Sequence, residues 1–358
     1  FDFVELFAGI GGFRLALEAV GGRCVLASEY SQHACAVYRR NWPNDPAHVL
    51  VGDVRKLVPA QIPPHDVLVG GFPCQSFSNA GRREGLDDDR GSLFFEVVRL
   101  LDGCRPRAFL LENVRGLLKV MGTVKAHLCA LGYAVHVREF DAALLVPQRR
   151  RRVFLVGFRD GAAATAFAWP LLPALRRTAD SVLEEREQAS RRLPDAKWEK
   201  VRGSQYFSKF PGARVLQPGA LAQTLQTTYK SGYLLYSQFV PQSPPATPRY
   251  FSPRECARLM GFGEDFELAA DEGHAYRQLG NAVAVPLVGA LAAALAAALE
   301  APADGEPRDT PAAPFSAQPE ALAVAIELAL RASPPASWAA DAGCWLPPAL
   351  AAAIGLDT

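Results

Sequence analysis

The sequence is poor in several features that would assign it to a class of protein. It has 38 Lys and Arg residues against 37 Asp and Glu residues, which gives a formal charge of +1. No chain-wide positive field therefore indicates a nucleic-acid partner, and any site for a polyanion must be local. The seven cysteines include no Cys-x-x-Cys pair and are odd in number, which argues against a disulfide framework and against zinc. We therefore expect no metal site and a reducing compartment, the cytosol.

Long apolar runs are also missing. No segment reaches the roughly 18 uninterrupted apolar residues that a bilayer-spanning helix needs, so we expect no membrane partner. The acidic start from Phe1 to Glu5 does not resemble a secretory signal. The chain does not begin with Met, so the position of the native N-terminus is left open. With 358 residues, of which 49% are hydrophobic and 21% charged, the chain can form two domains and a sizeable core.

What the sequence does contain is an alternation of strand-like and helical segments over residues 1–158. The predicted strands lie at 3–7, 24–28, 67–70, 108–111, 133–140 and 152–158. This alternation predicts an α/β fold with a doubly wound, mostly parallel sheet. Because such sheets bind ligands at the carboxyl ends of their strands, we expect the chemistry in the loops that follow them.

The remainder of the chain predicts a second, smaller domain and a tail. Residues 159–274 are mostly rich in Pro, Gly, Ser and Gln, which indicates an irregular domain. The Ala/Leu/Val-rich run within 275–300 predicts a buried helix that completes the domain formed by 1–158. Residues 301–358 are predicted to form an Ala/Pro-rich linker and a helical extension of unassigned role.

Three strand ends carry residues suited to binding a nucleotide-like cofactor. The segment from Phe7 to Gly12 lies between a predicted strand and helix, where glycines let a ligand approach the backbone and the helix N-terminus offers free N–H groups. Glu29 ends the second strand, where a carboxylate can accept both ribose hydroxyls. Asp53 follows the third strand and could accept from an adenine amino group, with Val54 against the ring. A turn or helix cap is the alternative for Asp53.

The loop after the next strand carries a candidate nucleophile. Its sequence is Gly-Gly-Phe-Pro-Cys-Gln-Ser-Phe-Ser over residues 70–78, and it directly follows an apolar strand. Cys74 is therefore predicted to face the active cleft, where positive charge would favour its nucleophilic thiolate. By contrast, Cys24, Cys35, Cys104 and Cys129 are expected to fill the core.

A carboxylate and an arginine cluster follow on neighbouring strands. Glu112 ends the next strand, so we expect it to face Cys74 and to transfer a proton to a ring nitrogen. In Gln-Arg-Arg-Arg-Arg at 148–152, strand alternation predicts that Gln148, Arg150 and Arg152 share one face. One set of these side chains can thus enter the cleft, although a bare charge run more often contacts solvent or phosphate.

Taken together, these motifs closely resemble those of the cytosine C5 DNA methyltransferases, particularly the single-chain bacterial modification enzymes. The resemblance covers about residues 1–158 and 248–300 in motif order. It implies a Rossmann-like fold of the class I methyltransferases, with S-adenosyl-L-methionine as cofactor and a target-recognition domain. It further implies double-stranded DNA as partner, a cytosine flipped out of the duplex, and a monomer in the bacterial cytosol. A restriction endonuclease or another defence component would be a further partner.

The resemblance also implies roles for individual residues. Cys74 attacks C6 of cytosine, Glu112 engages N3, Arg150 binds O2 and Arg152 supports the catalytic loop. The residues implied for the cofactor are Phe7, Gly9, Gly11, Gly12, Glu29, Asp53, Val54, Pro73, Leu93, Asn281 and Val283. Those implied for the substrate are Gln75, Ser78, Asn113, Gln148, Thr224 and Leu225. Arg254-Glu255 resembles the family's structural ninth motif and is expected to hold an internal ion pair.

The variable region gives weaker signals. Thr224-Leu225 resembles a pair found in many recognition domains, but ordinary loop polarity explains it equally well. Tyr229, Lys230, Tyr233 and Tyr236 interleave basic and aromatic side chains, which suits either DNA or a small domain core.

Each alternative function can be checked against a sequence motif. The transfer-RNA branch of the family shares Cys74 and Glu112, but its Cys-Phe-Thr run is missing from the recognition region. An amino-group methyltransferase needs a Pro-Pro-aromatic motif, and both Ser-Pro-Pro runs here are followed by Ala. A catalytically silent DNA-binding scaffold would have no need of the intact trio Cys74, Glu112 and Arg150. A dinucleotide dehydrogenase would need a third spaced glycine in the first loop.

Overall fold

The structure is a computed structural model, and it describes residues 1–43, 49–73, 92–173, 175, 177–184 and 189–301. The chain forms two compact units. The described residues of the larger unit lie within Phe1–Phe140, Arg151–Pro173 and residues 285–301. The smaller unit comprises Asp141–Arg150 and Ala174–Ala284. Cys74, Gln75 and Ser78, together with the predicted tail, lie outside the described residues.

In the part of the chain that the structure describes, seven strands form one sheet in the order β3-β2-β1-β4-β5-β7-β6. The strands are β1 Asp2–Leu6, β2 Arg23–Ser28, β3 Val49–Val51, β4 Val67–Gly70, β5 Ala108–Val114, β6 Ala134–Asp141 and β7 Arg151–Phe158. The pairs formed by β1, β2, β3, β4 and β5 are parallel, whereas β5 and β7 are antiparallel. The predicted α/β fold with a mostly parallel sheet is confirmed.

Helices cover the sheet and continue into the smaller unit. They are α1 Gly12–Glu18, α2 Gln32–Asn41, α3 Ser92–Cys104, α4 Met121–Ala130, α5 Gly161–Ala166, α6 Asp195–Arg202, α7 Gln205–Lys209, α8 Pro211–Arg214, α9 Pro253–Met260, α10 Glu272–Asn281 and α11 Val285–Leu299. Short 3-10 helices lie at Val54–Lys56, Pro59–Gln61, Arg115–Val120, Ala142–Leu144, Ala179–Val182 and Ala189–Arg191.

The central strands are buried on both faces because helices cover both. All four residues of β4 and the first six of β5 are buried, as expected for parallel strands between helical layers. The strand order reverses between β1 and β4. In doubly wound sheets this reversal separates the two adjacent loops and opens a crevice for ligands. The loops after β1 and β4 are therefore the place to look for a site.

The apolar helix α11 lies in the core of the larger unit. By length and composition Glu272–Leu299 could cross a membrane, but 72% of its most apolar window is buried within the protein. Side chains of α11 pack against α1, β5 and α5, and Arg107 donates to the carbonyl of Leu299 at 2.6 Å. This is the placement of a core helix.

The unit boundaries differ from those expected from the sequence. Residues 159–173 belong to the larger unit because Phe167 packs against Phe158 at 5.3 Å between ring centroids. Residues 141–150 belong to the smaller unit, where the amide of Arg149 donates to the carbonyl of Ala222 at 2.9 Å. Residues 275–284 also cluster with the smaller unit rather than with the sheet.

A buried ion pair organises the smaller unit. Glu255 is the third residue of α9 and closes a capping box with Ser252. Its carboxylate accepts two hydrogen bonds of 2.8 Å from the guanidinium of Arg249, and both side chains are buried. The expected internal ion pair is therefore made by Arg249, whereas Arg254 donates to the carbonyls of Gly263 and Phe266.

Candidate active site

The glycine loop after β1 has the backbone conformation that its sequence predicts. Phe7, Gly9 and Gly11 have φ values of 54°, 57° and 90°, a region that favours glycine. A Cβ atom added to Gly9 would meet nothing within 4 Å, so this face of the loop is open. A Cβ atom added to Gly11 would lie 2.4 Å from the indole ring of Trp42. Gly11 is thus required both by its φ angle and by the close approach of that ring.

Glu29 lies beside the glycine loop. Its Oε2 accepts from the amide of Gly9 at 2.8 Å, and its Oε1 accepts from the amide of Ser31 at 2.7 Å. The next residue, Tyr30, is 75% exposed. The structure therefore brings together the loop and the carboxylate predicted to hold a cofactor, and it adds an exposed aromatic ring. Tyr30 was not among the predicted site residues, although an aromatic residue directly after the carboxylate predicted to bind ribose was a usable signal.

Asp53 has the role of a turn cap in the structure. Its carboxylate accepts from the amide of Arg55 at 3.0 Å and pairs with the guanidinium of Arg55 at 2.6 Å. This side-chain hydrogen bond lowers the pKa of Asp53 below its ordinary value. The capping alternative is therefore realised, and the contact with an adenine amino group stays a prediction. Val54 is buried at the start of the same turn.

A polar network packs against the glycine loop through Trp42, whose ring lies beside Gly11. Glu18 accepts from the Nε of Arg14 at 2.6 Å and from the indole nitrogen of Trp42 at 3.0 Å. The guanidinium of Arg14 lies 4.6 Å from the Trp42 ring centroid. Glu5 is fully buried in β1 and accepts from the Tyr38 hydroxyl at 3.1 Å. Burial raises the pKa of Glu5 to about 8, so this carboxyl group is largely protonated at neutral pH.

At the carboxyl end of β5, Glu112 and Arg152 form an ion pair of 2.9 Å. The antiparallel register of β5 and β7 places Arg152 opposite Val114. Because alternate residues share one face, Arg152 is the diagonal neighbour of Glu112 on that face. Both side chains are partly shielded from water: Arg152 is 16% exposed and Glu112 is 11% exposed. A carboxylate is thus fixed at the sheet edge with a cation beside it.

The same strand end is tied to the segment that leads to Cys74. A Cβ atom added to Gly71 would lie 3.2 Å from the Oε2 of Glu112. The side-chain Nδ2 of Asn113 donates to the carbonyl of Phe72 at 2.9 Å. Asn113 is buried, so the structure gives it a positioning role and does not support the predicted substrate contact. Pro73, the last described residue before Cys74, is exposed.

Leu93 lies in the first turn of α3, where it packs partly buried against the core of the larger unit. Its predicted contact with the cofactor is not tested by this packing and stays a prediction.

Gln148 and Arg150 are buried in the smaller unit, with 0% and 2% exposure. The side chain of Gln148 accepts from the amide of Leu225 at 2.8 Å and donates to the carbonyl of Leu259 at 3.0 Å. Arg150 donates to the carbonyl of Leu225 at 3.2 Å and to that of Ala282 at 2.7 Å. The two side chains thus bind both main-chain polar groups of one residue, Leu225. This geometry does not support a substrate contact by Gln148 or the predicted contact of Arg150 with a base.

The recognition-region candidates divide between core and surface. Leu225 is buried, while the hydroxyl of Thr224 donates to the carbonyl of Arg149 at 2.6 Å. Tyr229 is a core residue whose hydroxyl donates to the carbonyl of Gln238 at 2.6 Å. Tyr236, by contrast, is 55% exposed. Tyr229 therefore fits the alternative of a domain core, whereas a DNA contact of the exposed Tyr236 is not tested and stays a prediction.

Asn281 and Val283 lie at the end of α10 in the smaller unit. Asn281 is exposed and Val283 is buried. The preceding Gly280 is in close contact with the backbone of Gln226 and Thr227, since an added Cβ atom would lie 2.6 Å from it. The predicted role of Asn281 and Val283 in binding the cofactor is not tested by these contacts and stays a prediction.

Other cysteines are placed largely as expected. Cys24, Cys35 and Cys256 are buried, and burial raises the pKa of each thiol. These thiols are therefore poor nucleophiles at neutral pH. Cys129, however, is exposed on α4, so its prediction as a core residue is wrong. The short and weakly amphipathic pattern of α4 explains the error.

Comparisons with known proteins agree with this fold. A family model described as C-5 cytosine-specific DNA methylase matches residues 1–297. Type II methyltransferase M.DsaV from Dactylococcopsis salina is 36% identical over 306 residues, which cover 81% of this chain and 84% of that protein. Type II methyltransferase M.NlaX from Neisseria lactamica is 35% identical over 306 residues, covering 82% and 95%.

Among solved structures, the Entamoeba histolytica methyltransferase EhMeth aligns with a TM-score of 0.70 at 17% identity, covering 84% of this chain and 98% of that one. At this identity the likeness shows the fold alone, and the sequence matches carry the family. The chain therefore belongs to the C-5 cytosine-specific DNA methylase family.

Proposed function

We propose that the protein transfers a methyl group from S-adenosyl-L-methionine to C5 of a cytosine in double-stranded DNA, as a bacterial modification enzyme. One observation carries the proposal: Glu112, paired with Arg152 at 2.9 Å, lies beside Gly71, three residues before Cys74. A cysteine, a carboxylate and a cation at adjacent strand ends are the groups that nucleophilic addition to a pyrimidine ring requires.

The glycine loop fits the proposed cofactor. Gly9 presents an open backbone face, and the carboxylate of Glu29 is fixed beside it at 2.8 Å. We assign the sugar hydroxyls to Glu29 and a stacking contact with the base to the exposed ring of Tyr30. S-adenosylmethionine, when bound, supplies an electrophilic methyl group. Phe7, Gly11, Gly12, Asp53, Val54, Pro73, Leu93, Asn281 and Val283 remain the further predicted contacts.

The residues of this chain would make C5 nucleophilic. The Cys74 thiolate forms a bond to C6 while Glu112 delivers a proton to N3, so that electron density moves to C5. After methylation, a base takes the C5 proton and the Cys74–C6 bond breaks to release the thiolate. N3 returns its proton to Glu112, which restores the aromatic ring and the starting state of the enzyme. Because C5 is inaccessible within a duplex, the cytosine has to flip out at a cost of a few kcal/mol.

We exchange the two arginine roles that the sequence predicted. Arg152, and not Arg150, is proposed to contact the oxygen of the flipped cytosine, because Arg152 lies against Glu112. Arg150 is proposed as a positioning residue, because its guanidinium binds main-chain carbonyls of the smaller unit. Arg152 would also hold the Glu112 carboxyl group in the orientation that proton transfer to N3 requires.

Bisulfite sequencing of DNA from cells that express the protein tests the proposal. New 5-methylcytosine in one recurring sequence context is the expected result, and Cys74→Ala should abolish it. Purified protein should label duplex DNA, and not transfer RNA, with tritiated S-adenosylmethionine. Labelling of transfer RNA alone would instead favour the RNA branch of the family. We further propose a monomer in the bacterial cytosol, with a restriction endonuclease or another defence component as a functional partner.

A further inference from the structure

An exposed group of large hydrophobic side chains lies in the smaller unit. We call it the apolar cluster; its members are Tyr206, Phe210, Leu234, Leu235 and Tyr236. They make up half of the large hydrophobic side chains that are exposed among the described residues. Leu235, Tyr236 and Phe210 are the most exposed members, at 57%, 55% and 55%, and the first two are adjacent in the sequence. A concentration of exposed apolar side chains in a soluble protein marks an interaction surface.

A buried arginine fixes the position of the apolar cluster. Arg214 is 1% exposed, and its Nε donates to the carbonyl of Ser237 at 2.8 Å. Its terminal nitrogens donate to the carbonyl of Leu234 at 2.6 Å and to that of Tyr233. The guanidinium carbon also lies 5.6 Å from the ring centroid of Tyr206, which connects the two parts of the cluster. The exposed turn is therefore anchored in the interior of the smaller unit.

The sequence around the apolar cluster lacks carboxylates. Residues 200–254 contain seven Lys and Arg residues and no Asp or Glu, although the whole chain has nearly equal numbers. Lys230 is paired with Glu272 at 3.0 Å, but Lys200 and Lys209 are exposed, and Lys209 lies between Tyr206 and Phe210. The local excess of positive charge favours an anionic partner.

We propose that the apolar cluster is the surface by which the smaller unit contacts the base stack of duplex DNA. Leu235 and Tyr236 would lie against the bases, with Arg214 as their positioning residue. The inference rests on the proposed function. DNA presents apolar base faces behind an anionic backbone, and proteins that unstack it insert apolar side chains between bases. This combination matches a group of exposed apolar side chains that includes the exposed ammonium group of Lys209 among its sequence neighbours, whereas a protein partner would account for the apolar side chains alone.

The test is the affinity of a double variant, Leu235→Ala with Tyr236→Ala, for DNA. A fluorescent duplex carries the sequence found by bisulfite sequencing, and anisotropy is measured at several salt concentrations. Loss of side chains that stack on bases should weaken binding about tenfold or more. The slope of log affinity against log salt should not change, because no phosphate contact is lost. Lys209→Ala should instead reduce that slope by about one.

Two further variants make the test specific. Arg214→Lys cannot reach three carbonyls with one ammonium group, so it should weaken binding to a similar extent with the same salt slope. Leu171→Ala removes a side chain that is 64% exposed in the larger unit, and it should bind DNA as the wild type does. An unchanged KM for S-adenosylmethionine in the double variant would establish that the fold is intact.

The outcomes separate this inference from the proposed function. A wild-type protein that methylates DNA, with a double variant that binds DNA within twofold of it, would overturn the role of the apolar cluster alone. A wild-type protein that neither binds nor methylates DNA would refute the proposed function itself. A double variant that keeps its DNA affinity but dissociates a wild-type dimer in size-exclusion chromatography would make the cluster a protein interface, which also overturns the inference.

Discussion

Replacing the buried carboxyl group of Glu5 by an amide should make the stability of the protein less sensitive to a rise in pH between 4.5 and about 8. Glu5 accepts hydrogen bonds from the Tyr38 hydroxyl and the Arg14 amide, and Arg14, Glu18, Tyr38 and Cys24 are the titratable groups near it. Burial raises the pKa of Glu5 from 4.5 to about 8, against the opposing effects of Tyr38 and Arg14. Glu5→Gln keeps the shape and the acceptor oxygen but cannot ionise.

The sign and size of the effect follow from proton linkage. Below pH 4.5 the carboxyl group is protonated in both states, so it adds no pH dependence. Between 4.5 and about 8 the unfolded chain releases this proton while the folded protein keeps it, so the free energy of unfolding falls as pH rises. The loss is at most about 1.4 kcal/mol per pH unit, or roughly 3 kcal/mol between pH 5.5 and pH 7.5.

Urea unfolding followed by circular dichroism at pH 5.5, 6.5 and 7.5 measures this loss. The free energy of unfolding of Glu5→Gln minus that of the wild type should grow by roughly 3 kcal/mol over this range. Glu96→Gln is a matched control, because Glu96 forms a partly exposed ion pair with Arg99 and contacts water in both states; its difference from the wild type should stay constant. Parallel pH curves for Glu5→Gln and the wild type would refute the reasoning.

Three further predictions concern the active site and the loop beside it. Cys74→Ala should abolish methylation and the covalent adduct with a duplex containing 5-fluorocytosine, while leaving S-adenosylmethionine binding in calorimetry unchanged. Arg152→Ala should lower kcat about a hundredfold or more, since it removes the cation beside Glu112; a kcat within threefold of the wild type would contradict the exchanged roles. Gly11→Ala should destabilise the protein by about 2–4 kcal/mol in thermal unfolding, because strain at φ 90° and the clash with Trp42 add together. Gly9→Ala is its control and should cost about 1–2 kcal/mol, because only backbone strain applies there.

Much of the larger unit could be predicted because its local signals agree with one another. Short apolar runs alternate with segments of helical periodicity. The loops after β1 and β4 carry sequence motifs that can be identified without knowing the structure around them. The burial of Glu5 could not be predicted in this way, since a carboxylate in a strand ordinarily indicates an exposed position. Its environment depends on Tyr38 from α2 and Arg14 from α1, which are brought together only by packing.

The alternation of side chains along a strand was not sufficient to predict the roles of Arg150 and Arg152. Strand alternation predicted one face for Arg150 and Arg152, but it assumed one continuous strand from 148 to 158. In the structure β7 begins at Arg151, and Arg150 belongs to the smaller unit, where main-chain carbonyls bind it. The position of Arg152 depends on the register of β7 against β5, a pairing of two strands about 40 residues apart that no local pattern encodes. Roles that depend on such pairings have to be assigned from the partners each side chain contacts.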